Sequence, residues 1–468
     1  MVAVALPQRL KLGAVRRLKG RYDSAATTDD NRRHWAMADG LSADAAASPE
    51  VRRILRNRAR YEVANNSYAR GIALTLAHDG IGTGPRLQML SADEEINSEL
   101  EREFERWARE VSFAEKLRTM RLSRVQDGEA FAILVNNPSL AHPVTLDLKL
   151  IEADQVASPM GRFQSGRQED GIELDLFGNP ASYWVLRDHP GGSGASFTSE
   201  AIRVPASDMI HVFRQERPGQ HRGIPEITPA MPLFAQLRRY TLAVLSAAEA
   251  AANFAGILYT DSPANGESES VEPMDSIELE RNMLLTMPGG WKMSQVEPMQ
   301  PATSYAEFKK EILNEIARCL NMPFNVAAGN SSGYNYASGR LDHQTYFKSI
   351  RVDQAFMASR VLDRVLQAWL REYSLETGTL REVLRGGIPD HQWFWDGMEH
   401  VDPLKEANAQ ETRLKNHTTT LAHEYARAGK DWEQELRQRA RERKLMRELE
   451  LVEPDEVMPE GGSNDDPE

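Results

Sequence analysis

With 468 residues, 41% of them hydrophobic, the chain can bury a sizeable core and divide into roughly two to four domains. A formal net charge of -13 excludes the strongly basic profile by which proteins hold duplex nucleic acid through its phosphates. No run approaches the ~20 apolar residues of a membrane span, and the single cysteine, Cys319, precludes an intramolecular disulfide and reads as a small packed side chain in a reducing compartment.

In chain order, residues 1–25 form a basic arm: Arg9, Lys11, Arg16, Arg17, Lys19 and Arg21 fall within 21 residues that hold no acid, so the segment is expected to be disordered. Val2–Leu6 is too short for a secretory apolar core and precedes the basic residues, so no signal peptide is expected. From Ala43 to Ala77 the pattern is helical, with Ser48-Pro49 as a start and Val51, Leu55, Ala59 and Val63 spaced by four. Arg52, Arg53, Arg56, Arg58 and Arg60 decorate this helix and read as a solvated or inter-subunit face, with a phosphate-facing role as the alternative. Gly80–Pro85 lacks the Gly-Lys-Ser/Thr of a phosphate loop and leads into a strand at Arg86–Leu90. Helices are expected over Asp93–Ser112 and Phe113–Asp127, and strands over Glu129–Val135, Val144–Ile151, Tyr183–Arg187 and Ile210–Phe213. Residues 26–226 thus read as a mixed α+β region.

Residues 227–255 carry the longest uninterrupted helix, Thr228–Phe254, with the stripe Leu233, Leu237, Tyr240, Val244, Ala248 and Ala251. Residues 256–302 change composition: Ile257–Thr260 and Leu284–Met287 read as strands around a Ser/Glu/Gly loop, and Pro288-Gly289-Gly290 as a turn before Trp291. Residues 303–322 read as a second helix with Phe308, Ile312, Ile316 and Leu320 on one face, Ser304 and Glu307 as a capping box, and Pro323 as its stop. Residues 323–340 read as a polar, glycine-rich loop between stiff helices. Residues 341–401 hold a long helix with Phe347, Ile350, Met357, Val361, Val365 and Trp369 spaced by helical turns, then a Trp393-Phe394-Trp395 core cluster. Residues 402–452 are helical and increasingly charged, and 453–468, with seven acids and no base, should be disordered.

The run Glu315–Arg318, the break Asn321-Met322-Pro323 and the loop Asn335-Tyr336-Ala337-Ser338-Gly339-Arg340 resemble the lambda-type portal proteins of tailed phages, whose loop reads Asn-Tyr-Ser-Ser-x-Arg; here Ala337 replaces the first serine. Arg217–Pro225 followed by an Ala-rich helix is a second matching block, and the blocks keep their order from Tyr61 to Trp395. The resemblance implies an α+β portal subunit with a wing, long stem helices (227–255 and 303–322), a small β-containing clip between them, a channel loop at 323–340 and a helical crown. It implies a ring of twelve at one vertex of the virion capsid, assembled in the host cytoplasm. The terminase large subunit, a head-tail adaptor, the major capsid and scaffold proteins and double-stranded DNA in transit would be its partners. On that reading Asn325, Asn330, Ser331, Ser332, Tyr334, Asn335, Tyr336 and Arg340 touch passing DNA through weak, exchangeable contacts, while Lys309, Lys310 and Arg318 line the stem.

No catalytic constellation, cofactor motif or metal spacing stands out among the residues. Asp147-Leu148-Lys149 with Glu129 upstream resembles a fragment of a metal-dependent nuclease, but alternating leucines explain the same residues as a strand. An adaptor or scaffold ring without DNA contact is the alternative within the structural class, and a nuclease or packaging ATPase the alternative among enzymes.

Overall fold

The computed structural model describes residues 28–29, 31–158, 168–192, 200–253, 257–260, 291–294, 302–378, 387–397 and 403–451. The expectations for the basic arm, the acidic tail and most of 256–302, including the Leu284–Met287 strand, lie outside these residues.

After a single turn, α1 (Ala43–Ala46), come α2 (Pro49–Asn65) and α3 (Ser67–Ile81). Ser48 Oγ accepts the Val51 N–H, and Pro49 sits in the first turn, where its missing donor costs nothing. The helical stretch expected from Ala43 to Ala77 is divided into three helices, the last running to Ile81. Asn66 ends α2 in an extended conformation, and its side chain caps α3 by accepting from Tyr68 and Ala69 N–H. Gly82 (φ +59°) and Gly84 (φ +116°) then turn the chain into β1 (Arg86–Met89).

Next come α4 (Glu94–Glu110), capped by Asp93, α5 (Phe113–Gln126), β2 (Glu129–Asn136) and β3 (Leu146–Ile151). Four strands, β4 (Gln168–Glu169), β5 (Ile172–Leu174), β6 (Pro180–Leu186) and β7 (Ala201–Pro205), form one antiparallel sheet; β8 (Met209–Phe213) joins β2 and β3 in another, ordered β3-β2-β8. Strand alternation divides the interior. Ala130, Ala132, Leu146, Leu148, Ile210 and Val212 face a helical layer with Phe104, Trp107, Leu117, Leu366 and Trp369. Phe131, Ile133, Ile151 and Met209 face the other sheet through Ile172, Tyr183 and Val204.

The second half contains α6 (Met231–Asn253), the paired strands β9 (Ile257–Thr260) and β10 (Trp291–Ser294), α7 (Ala302–Cys319), α8 (Phe324–Ala328) and α9 (Tyr336–Met357). A π turn, Ala358–Leu362, joins α9 to α10 (Asp363–Thr377); β11 (His391–Phe394) returns to pair antiparallel with β1. Phe394 is buried and Trp393 and Trp395 pack half-buried on the helical core, as that cluster implied. The chain closes with α11 (Pro403–Lys415), α12 (Leu421–Arg427) and α13 (Trp432–Glu448), the last burying no residue. Among the described residues, no helix is long and apolar enough to cross a membrane.

Arg53 and Arg58 are exposed, as expected, but Arg52, Arg56 and Arg60 correct the sequence reading. Arg52 and Arg56 are not solvated but buried: Arg52 donates to Ala47 O and pairs with Asp170, and Arg56 pairs with Asp154 at 2.9 Å. Arg60 bridges Asp127 (2.5 Å), Asp154 (2.9 Å) and Glu152 (3.1 Å). The acids they meet are some 67 to 118 positions away, too far for any local pattern to reveal.

Candidate nucleic-acid interface

The predicted contact residues lie on α7, on α8, on the turn after it and in the first turns of α9, and α7 packs against α6. Glu226 O lies 3.6 Å from Cys319 Sγ at one end of the pair; at the other, the Tyr240 ring lies tilted beside Tyr305 and edge-on to Phe308 (centroids 5.6 and 4.9 Å) and Tyr305 donates to Thr241 at 3.1 Å. The two helices are therefore antiparallel. Their root is core: Phe234, Leu237, Ile312, Leu313, Ile316, Ala317 and Leu320 share a cluster with α3 and α9. Farther out, Leu242, Leu245 and Phe308 are more than half exposed, so the outer part of the pair presents apolar surface. The α7 helix begins at Ala302, which puts Ser304 inside it instead of at its cap. It ends at Cys319, and Asn321 takes a left-handed turn (φ 52°) before Pro323 starts α8.

The expected loop 323–340 is shorter than its sequence suggested. Phe324–Ala328 is helical and closed by Gly329 (φ +61°), and α9 begins at Tyr336 behind a reciprocal cap in which Asn335 and Ser338 each accept the other's backbone N–H. The irregular part is 329–335. Within it Asn330 accepts the Ser332 N–H at 2.9 Å and Ser331 O accepts the Tyr334 N–H at 3.1 Å, a turn held by its own polar groups.

Of the predicted residues, Asn330, Ser331, Ser332, Asn335 and Arg340 are exposed and Tyr334 is half-buried. Tyr336 opens α9, and its side chain lies outside the described residues. Asn325 departs from the prediction. It is buried in α8 with Nδ2 3.1 Å from His343 Nε2, so it braces α8 on α9 and cannot meet a ligand without unpacking. Lys309 packs its ammonium 5.0 Å above Tyr68 and 5.7 Å from Tyr305; burial opposes its charge, but the tyrosine hydroxyls raise its pKa. Lys310 and Arg318 are exposed, the first 5.8 Å from the Phe324 ring, the second donating to Asn321 Oδ1 at 3.3 Å.

The segment 217–226, singled out by its resemblance, turns out to be a buried clasp. Arg222 donates to Glu129 through Nε (3.0 and 2.9 Å) and Nη2 (2.6 Å), and to Val156 O (2.9 Å) and Ala153 O (3.1 Å). Glu129, fully buried, also accepts from Gly223 N–H (3.0 Å) and faces His211 Nε2 (3.1 Å). Burial pushes its pKa up, but Arg222 and His211 outweigh that and hold it far below the usual carboxylate range. Glycines permit the approach: a Cβ on Gly223 would meet Gly128 O at 2.1 Å, and Gly128 itself has φ +90°. Next to it, Glu226 pairs with Arg121 (2.8 Å) and Arg124 (2.7 Å), which reach Asp353 on α9 (3.0 and 3.1 Å). Against the cost of burial these guanidiniums bring the Glu226 pKa down to about 2. The root of α6 is thus locked to α5 and α9 by charge.

The nuclease fragment does not assemble. Asp147 lies opposite Val135, six residues along β2 from Glu129 and so roughly 20 Å away, and it pairs with Lys116 and Asn137. Glu152, Asp154 and His189 lie close enough to hold an ion, but Arg60 already pairs with both carboxylates, Arg56 also pairs with Asp154, and His189 Nδ1 accepts the Gly191 N–H.

Residues 29–354 match the family model for phage portal protein, lambda family. The chain belongs to that family. Among relatives, the probable portal protein of Halomonas phage phiHAP-1 is 26% identical over 406 residues, 81% of this chain and 77% of that protein. Portal protein B of Escherichia phage lambda is 22% identical over 68% of this chain and 66% of its own length, and the portal protein of Escherichia phage N15 is 22% identical over 63% and 62%. A chain in the neck of an empty GTA particle superposes with a TM-score of 0.49 at 16% identity, covering 79% of this chain and 92% of that one; one in the virion of a native gene transfer agent particle gives 0.45 at 13%, covering 86% and 99%. Within this portal-family chain, the matched span contains the α6–α7 pair, the 329–335 turn and the clasp.

Proposed function

We propose that this chain is a ring-forming portal subunit, twelve to a ring at one capsid vertex of the virion, around a channel through which a terminase motor drives double-stranded DNA in and through which the DNA leaves. The observation that carries this is the antiparallel α6–α7 pair: a charged clasp and an apolar core hold its root, while its outer half leaves Leu242, Leu245 and Phe308 for a neighbouring copy. In the domain map that follows, residues 26–226 are the wing, α6 and α7 the stem, 256–302 the clip, 329–335 with Arg340 the channel turn, and α11–α13 the crown. Neutral contacts from Asn330, Ser331, Ser332 and Asn335 exchange quickly and would let DNA pass. The subunit does no chemistry of its own; the motor, a head-tail adaptor and capsid proteins dock on the ring.

Replacing Ser331–Tyr334 by two glycines shortens the turn while keeping the Asn335–Ser338 cap on α9. The expected result is normal heads that are empty or underfilled. Normal packaging would favour a ring that never touches DNA, and DNA cleavage or nucleotide hydrolysis by the purified protein would favour an enzyme.

A further inference from the structure

The terminal helix α13 carries a charge pattern that the channel reading leaves unused. Between residues 437 and 447 stand Arg437, Arg439, Arg441, Arg443, Lys444 and Arg447 against one acid, Glu442, in a chain whose net charge is -13. Every residue from 437 to 450 is exposed. Arg439, Arg443 and Arg447 are four apart, so they form one stripe with steps of about 6 Å along the axis.

Where the chain buries arginines it pairs them, as in the α2 network and the Glu226 clasp. On α13, Arg437 reaches Glu94 (3.0 Å) and Lys444 reaches Glu448 (4.0 Å), but Arg439, Arg443 and Arg447 have no side-chain hydrogen bond or ion pair among the described residues. Like charges four apart on a helix repel, so the stripe weakens the helix that bears it unless an anion lies along it. The cations are almost all arginine, whose planar fork binds phosphate oxygens in pairs, where lysine acts as a point charge.

We propose that the Arg439–Arg443–Arg447 stripe of α13 is a sequence-independent docking surface for the phosphate backbone of duplex nucleic acid. It goes beyond the channel reading, because α13 belongs to none of the segments assigned to the channel. Phosphate is the favoured occupant because Arg439, Arg443 and Arg447 are regularly spaced, exposed and unpaired among the described residues, a pattern that an anionic backbone complements; Leu445 and Met446 are exposed beside them. The chain's own acidic segment, 453–468, is the rival occupant and is made an outcome of the test.

The test measures binding of a fluorescent 30-base-pair duplex of arbitrary sequence to the full chain over a salt series. Changing R439Q, R443Q and R447Q together should lower the slope of log K against log salt by about 2.7, three released counterions at roughly 0.9 each. The corresponding triple lysine variant, which keeps the three charges, should keep the slope. Because α13 buries no residue, the substitutions leave the core intact, which an unchanged thermal transition checks. An unchanged slope in the glutamine variant overturns the proposal. So does a full chain that binds duplex only after residues 452–468 are removed, which would assign the stripe to the acidic segment.

Discussion

Removing one side chain of the buried clasp should unlock the junction on which both halves of the chain rest. Arg222→Met keeps the aliphatic bulk but leaves Glu129 fully buried with its main counter-charge gone. Breaking a buried pair in this way costs about 3–5 kcal/mol, because the remaining charge has no solvent to stabilise it. Arg56 lies 3.6 Å from Glu129 and offsets part of that, which places the expectation toward the lower end. The double variant E129Q/R222M should recover much of the loss, since the introduced amide can still accept from Gly223 N–H and meet His211 without a charge. Hydrogen exchange of the β2 amides, read alongside denaturant melts, measures the effect locally, where a chain this long need not unfold in one step. The pH dependence has a definite sign. Because the folded pKa of Glu129 is depressed below its ordinary 4.5, its contribution is present above pH 4.5 and is lost as the pH falls below it. Wild-type protection of β2 should therefore weaken in acid. An R222M protein within about 1 kcal/mol of wild type, or a double variant as unstable as the single one, would refute the reasoning.

Other expectations follow from the same geometry. Glu101, held between Met89 N–H and Gln434, has its pKa pushed up to about 7, first by burial and then by Asp431 and Glu433; its contribution to α13 docking is full below pH 4.5 and fades as the pH rises through 7, and E101Q should flatten that dependence in limited proteolysis of α13. Trp369→Ala removes a fully buried ring that lies 4.9 Å from Tyr373 and 5.4 Å from Phe104, and should cost about 3–5 kcal/mol by chemical denaturation. Gly223→Ala places a methyl 2.1 Å from Gly128 O, a backbone atom that cannot rotate away, so a loss of at least ~1–3 kcal/mol and a lower melting temperature are expected.

Much of the architecture was legible because it is written in local periodicity. The spacing of Leu100, Phe104 and Trp107 gave α4, the apolar run from Glu129 gave β2, and the stripe from Ile350 to Trp369 gave α9 and α10, though not the π turn between them. What stayed hidden depends on partners distant in sequence. Arg52, Arg56 and Arg222 look like surface residues until Asp170, Asp154 and Glu129 arrive from other elements, and β1 finds β11 some 300 positions later. At the candidate interface, composition overstated the loop: Phe324–Ala328 is short enough that its helix owes more to packing on α7 and α3 than to propensity, and burial there takes Asn325 out of reach of a ligand. The Arg217–Pro225 block was found by likeness alone, and its physical role came only with the fold.

The central claim is that copies of this chain close around a hole that passes a DNA duplex. Electron-microscope class averages of the purified protein test it most directly. The account predicts closed rings of twelve with an axial opening wider than the double helix; a field of compact single subunits under assembly conditions would contradict it.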